Sequence, residues 1–111
     1  MDCLFCKIVA REIPADMVFE NDACLAFRDL NPQAPTHVLI VPKKHIDGLA
    51  SASLDDDLQS LLLAASEIAR QEGIDRAGYR VVINSGQQAG QTVFHLHVHV
   101  LGGRTMAWPP G

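Results

Sequence analysis

The sequence lacks most of the features that mark a chain for a membrane, a nucleic acid or a disulfide framework. Its longest apolar runs, such as Val38 to Val41, fall far below the roughly 20 residues of a membrane-spanning helix. Met1 to Ala10 carries Asp2 and Lys7 and has no apolar stretch of the secretory kind, so a soluble cytoplasmic protein with no membrane partner is expected. There is no basic excess either. A net charge of -4 removes the cationic face with which a nucleic-acid binder releases counterions from phosphates. Any anionic ligand must then be held by local donors. Aromatic residues make up only 5% of the chain, so the core is mainly aliphatic. Three cysteines, an odd number, argue against a disulfide scaffold. In a reducing cytosol the spacing Cys3-x-x-Cys6 points to metal or redox chemistry, while Cys24 stands alone as a small core residue. No repeat, linker or low-complexity tract is present, and no organic cofactor is expected. At 111 residues the chain suits a single domain, 1–111, which a dimer sharing core between subunits would help to stabilise.

What is present alternates between strand and helix signals. Residues 4–10 read as a short helix ending before Ile13-Pro14. Met17 to Glu20 and Cys24 to Arg28 read as strands joined by the turn Asn21-Asp22. A Pro-containing loop follows, then an aliphatic strand from His37 to Val41, stopped by Pro42. Leu54, Leu58, Leu61, Leu62, Ala65, Ile68 and Ala69 recur at helical spacing, which predicts a long helix over 54–72. Ser53 caps it, Asp56 completes a capping box and Gly73 ends it. The run Asp55-Asp56-Asp57 then answers the positive end of the helix dipole, a reading favoured over metal binding. Tyr79 to Ile83 and Phe94 to Leu101 are the last strands. Short turns around one main helix imply an α+β fold: an antiparallel sheet of about five strands with one long and one short helix.

The chemistry concentrates in His95-Leu96-His97-Val98-His99. In a strand, side chains two apart share a face, so Leu96, Val98 and Val100 can bury against the long helix while three imidazoles line the other side. Neighbouring imidazoles would then stand about 6 to 7 Å apart along the strand. Three readings compete: a half-exposed strand that happens to carry histidine, a catalytic metal held by two or three rings, and covalent catalysis at phosphorus. The preceding loop, Ser85 to Thr92, favours the third. Its glycines admit backbone N–H groups close to a phosphate, and Asn84 and Thr92 add side-chain donors. It lacks the Gly-Lys-Ser/Thr of a nucleotide-triphosphate loop.

The run His95 to Leu101 resembles the signature of the histidine-triad family. The likeness extends to Lys7-Ile8, Arg11 to Pro14, Ala26 to Leu30, Pro32 to His37, Gly90 to Val93, Leu101 to Arg104 and Trp108 to Gly111, segments similar to the Hint branch. This resemblance implies a homodimer with one sheet continuous across both subunits, a purine nucleotide ligand, and a nucleoside 5'-phosphoramidase activity passing through a nucleotidyl-histidine. It implies that His97 is the nucleophile, that Asp29 holds the ribose hydroxyls, and that Phe5, Ile8, Phe27 and Leu30 flank the base. Asn84, Gly90, Gln91, Thr92 and His99 would contact the α-phosphate. His99 also resembles the hydrolase branch, since related nucleotidyltransferases carry Gln at the third position. His37 either relays protons to the site or is a satisfied strand residue. On pattern alone Phe5, Ile8 and Phe27 are ordinary core, and Asp29 could simply stabilise a turn.

Several bacterial histidine-triad proteins are similar in pairing an N-terminal C-x-x-C with two histidines, here His45 and His95. The resemblance thus implies a structural zinc on Cys3, Cys6, His45 and His95, with a redox pair or two unremarkable thiols as alternatives. Trp108 lies in an extended tail that in similar proteins reaches the partner's site. Ala107 stands where some relatives carry His. Two other functions stay open: a non-catalytic purine-nucleotide sensor or scaffold, and metal-dependent hydrolysis.

Overall fold

Strand parity decides which side of the sheet each residue faces. The computed structural model describes residues 2–111. In chain order it has a short helix α1 (Leu4–Val9), strands β1 (Met17–Glu20), β2 (Cys24–Arg28) and β3 (Thr36–Pro42), a long helix α2 (Gln59–Gln71), and strands β4 (Tyr79–Val82) and β5 (Val98–Gly102). The five strands form one antiparallel sheet in the order β1-β2-β3-β5-β4. This is the α+β architecture the sequence implies. No helix among the described residues is long and apolar enough to cross a membrane.

On one face, Cys24, Ala26, Val38, Ile40, Val98 and Val100 bury against Leu61, Ala64, Ala65, Ile68 and Ala69 of α2, together with Leu96. On the other, Leu25, Phe27, Leu39 and Val41 bury against Phe5 and Ile8 of α1. Each fully buried aliphatic side chain contributes about 1.5–3 kcal/mol through removal from water. His99 pairs with Leu39 across β3 and β5, so it falls on the α1 face, as does His37 opposite Leu101. The α2 side is mainly apolar core, edged by the Arg28–Glu72 ion pair, and the α1 side carries His37 and His99.

Several boundaries differ from the sequence expectation, three of them for a clear physical reason. The helix predicted from Leu54 begins at Gln59. Ser53 and Asp56 do bond as a capping pair, with the Ser53 N–H on Asp56 Oδ2 at 2.9 Å, but they close a separate turn. Asp57 caps the helix, accepting the Ser60 N–H at 3.0 Å. Leu54 and Leu62 are exposed, and Ala64 takes a place in the buried stripe. Pro42 ends no strand early: it pairs with Cys24 of β2, at a point where β5 no longer runs alongside and no N–H is required. The last strand begins at Val98, so only His99 of the three histidines lies in it. Ahead of it the Leu96 N–H goes to the Ile46 carbonyl at 2.6 Å, not to a neighbouring strand.

Candidate functional site

A cavity of about 300 Å³ opens on the α1 face. That volume is at the small end of ligand pockets, about 300–1,000 Å³. Phe5 and Ile8 come from α1, Phe27 and Leu39 from β2 and β3, and Asp29 and Leu30 from the loop after β2. Thr92, Val93, His97 and His99 close the remaining side. The lining is mainly apolar, and His97 and His99 belong to it. A larger cavity, about 560 Å³, lies against β4 and is lined by Tyr79, Arg80, Arg104 and Thr105, with no histidine or cysteine.

The hydrogen bonds fix where each imidazole holds its proton. His97 Nδ1 lies 2.8 Å from the backbone carbonyl of His95. A carbonyl only accepts, so the proton is on Nδ1 and Nε2 keeps its lone pair. The Phe5 and His97 rings pack nearly perpendicular with their centroids 5.2 Å apart, a contact that holds the plane of the imidazole. His37 Nδ1 accepts the Gln33 backbone N–H at 2.9 Å, so the His37 proton is on Nε2. That nitrogen is 2.9 Å from His99 Nδ1 and 3.4 Å from Asp29 Oδ2. His99 Nδ1 is therefore an acceptor, and His99 is a donor through Nε2. Burial, followed by its histidine neighbours His97 and His37, holds His99 down to about 4, so it is neutral near neutral pH. Burial also lowers His37, against the opposing pull of Asp29.

Asp29, His37 and His99 bring one ligand atom each within 4.8 Å of the others. The proton on His37 Nε2 occupies the position where a metal would need a lone pair. The trio is a hydrogen-bonded array, which disfavours metal-dependent hydrolysis at this centre.

The second cluster is the reverse case. Cys3 Sγ is 3.3 Å from His95 Nδ1, Cys6 Sγ is 3.2 Å from His45 Nδ1, and the two Nδ1 atoms are 3.2 Å apart. His95 Nε2 donates to the Pro42 carbonyl at 2.8 Å, and His45 Nε2 donates to Asp47 Oδ1 at 2.7 Å. Both rings thus turn their Nδ1 lone pairs toward each other and toward the two sulfurs, an arrangement that a shared cation would bridge. Burial, then the adjacent Cys3 sulfur, pushes the Cys6 thiol up. A tetrahedral zinc with nitrogens at about 2.0–2.1 Å and sulfurs at about 2.3 Å sets ligand-to-ligand edges of about 3.3–3.8 Å. The observed edges, from 3.2 to 3.5 Å, sit at or just below the short end of that range, and Asp47 orients His45 as outer carboxylates orient metal-bound imidazoles. Four protein ligands leave no open position, so a metal here would be structural.

Of the residues the sequence assigns to nucleotide contact, Phe5, Ile8, Phe27, Asp29, Leu30, Thr92, His97 and His99 line the cavity, whereas Asn84, Gly90 and Gln91 do not. Gln91 turns its side chain elsewhere. Its buried side chain donates to the Asp47 carbonyl at 2.8 Å and the Val93 carbonyl at 3.2 Å, and accepts the Gly86 N–H at 2.9 Å. Its own N–H goes to the Gly86 carbonyl, so Gln91 braces the loop from inside. Cys24 is buried core and Trp108 is exposed in the tail. The sequence reading missed Leu39, Val93, the Gln33 backbone and Asp47. An acid two residues after His45 was the one available signal.

Residues 10–106 match the model of the HIT domain. An uncharacterized HIT-like protein of Synechococcus elongatus is 56% identical over 112 residues, spanning 99% of this chain and 97% of that protein. A 14 kDa zinc-binding protein of Zea mays is 51% identical over 113 residues, spanning 97% and 87% respectively. The crystal structure of a HIT family hydrolase from Legionella pneumophila superimposes with a TM-score of 0.97 at 53% identity, over 99% of this chain and 100% of that one.

Proposed function

The chain belongs to the HIT domain family, and from that membership we propose that it is a Hint-type hydrolase of purine nucleoside 5'-phosphoramidates or related nucleotide conjugates. One observation carries the reading: the His95 carbonyl accepts the Nδ1–H of His97 and leaves Nε2 with its lone pair, in a side chain that lines a mainly apolar cavity. The purine lies between Phe5, Ile8, Phe27 and Leu30, and Asp29 accepts from the ribose hydroxyls. This sets the α-phosphorus before His97 Nε2. Attack forms an N–P bond while the bond to the leaving nitrogen breaks. That nitrogen departs with the electron pair and takes up a proton from solvent. His99, held by His37, donates from Nε2 to a phosphate oxygen, where charge grows in the transition state. Water then attacks phosphorus and releases a proton to solvent, the N–P bond breaks with its electron pair returning to His97 Nε2, and the nucleoside monophosphate leaves.

Cys3, Cys6, His45 and His95 would hold zinc, which when bound supplies structural cross-linking of the N-terminus to the triad segment. The β4 edge of the sheet, with Val81 exposed, is where a second copy would extend it.

A fluorogenic adenosine phosphoramidate tests the activity. The wild type should turn over and His97→Ala should lose at least about 10³-fold in kcat while staying folded. Intact mass spectrometry after brief exposure should reveal a nucleotidyl adduct on the wild type alone. Equal inactivity of both folded proteins, with no nucleotide bound, would refute the reading.

A further inference from the structure

One run of hydrogen bonds leads from the triad to the surface. The Nε–H of Arg104 donates to the Gln33 backbone carbonyl at 2.9 Å. The Gln33 N–H donates to His37 Nδ1, and His37 Nε2 meets His99 Nδ1, each at 2.9 Å. Residues 29–35 belong to no helix or strand. Within them Asp29 Oδ1 accepts the Asn31 N–H at 2.8 Å and the Gln33 amide donates to the Asn31 carbonyl at 3.0 Å. Arg104 is what ties this loop to the end of β5.

The approach of Arg104 is itself built into the backbone. The chain turns at Gly103 with φ of 91°. A Cβ there would sit 2.9 Å from Pro35 Cβ, so only glycine lets the strand end pass this close beneath the loop. The Arg104 side chain is exposed, and both its hydrogen bonds go to backbone carbonyls, those of Gln33 and Thr105.

From this geometry we propose that Arg104 is a positioning residue: by clamping the Gln33 carbonyl it keeps the Gln33 N–H on His37 Nδ1, and so fixes the proton on Nε2 of both His37 and His99. A neutral imidazole has two tautomers, and a single fixed donor selects one. If the Gln33 N–H withdrew, His37 could carry its proton on Nδ1. His37 Nε2 would then be an acceptor, His99 would have to donate from Nδ1, and its Nε2 would turn a lone pair toward the phosphate. The consequence for turnover rests on the functional reading above, whereas the proton placement stands apart from it.

Imidazole ¹⁵N chemical shifts report the tautomer directly. In the wild type His37 should show a protonated Nε2 and a bare Nδ1. In Arg104→Met the two His37 signals should move toward each other as both tautomers populate. Gln33→Pro, which removes the N–H itself, should give the same change with Arg104 in place. With the phosphoramidate, Arg104→Met should lose about tenfold in kcat with KM within about twofold. Arg104→Lys, which can reach the same carbonyl, should recover most of that loss. A His37 spectrum unchanged in Arg104→Met overturns the proposal, and a changed spectrum with wild-type kcat overturns its consequence for turnover. If the wild type hydrolyses no phosphoramidate, the functional reading fails and the ¹⁵N comparison alone decides.

Discussion

Gln91 shows how far one side chain can sit from the role its neighbours suggest. Lying between Gly90 and Thr92 in a glycine-containing loop, it reads as a phosphate donor. Its partner, the Asp47 carbonyl, is 44 positions away in sequence, so no local pattern could reveal that the amide turns inward. Gln91→Leu keeps the volume and strands the Asp47 and Val93 carbonyls and the Gly86 N–H. It should cost about 2 kcal/mol in urea denaturation. Gln91→Glu should cost more, because it sets a carboxylate against two carbonyl oxygens. Gly48 shares this constraint: a Cβ there would stand 3.1 Å from Gln91 Oε1. By contrast, the residues of the cavity floor were legible as apolar positions. Only the resemblance to a known family gave them a pocket to line.

Among the elements, α2 separates what local chemistry determines from what the tertiary structure decides. The buried stripe Leu61, Ala65, Ile68 and Ala69 follows from helical periodicity alone. The start does not, because Asp56 and Asp57 are equally good caps by type. Lys44, from the segment after β3, takes Asp56 at 2.7 Å, and that tertiary pair leaves Asp57 to begin the helix. Asp57→Ala should therefore destabilise the protein modestly, by removing the acceptor for the Ser60 N–H. Ile68→Ala, at a fully buried site, should cost about 3 kcal/mol, and Leu62→Glu on the exposed face should stay within about 0.5 kcal/mol. Thermal melts of the three variants check this order. The late start of β5 has the same kind of cause. Alternation predicts a strand from Phe94, but the His95 ring is drawn to Cys3, Cys6 and His45, and Leu96 bonds to Ile46, so pairing waits until Val98.

At the scale of the whole molecule, buried imidazoles make stability depend on pH. His99 titrates near 4 in the fold, against about 6.5 for a free histidine, and His37 is lowered in the same direction. Below about 6.5 the unfolded chain binds protons that the folded chain refuses, so stability must fall as pH drops through that window and level off above it. With allowance for partial exposure, a loss of about 1 kcal/mol between about pH 7 and 5 is expected from urea midpoints. His99→Asn should flatten that dependence. Chelation should lower the melting temperature, since the proposed zinc joins the N-terminus to the segment before β5. Unchanged stability after complete metal removal would refute the zinc assignment. His95 gives that test a wider meaning. Its ring belongs to the zinc cluster and its carbonyl orients the nucleophile, two loyalties in a single residue. Under the zinc assignment, scarcity of the ion would be felt at the reacting imidazole with no hinge, no effector pocket and no moving domain to carry the message.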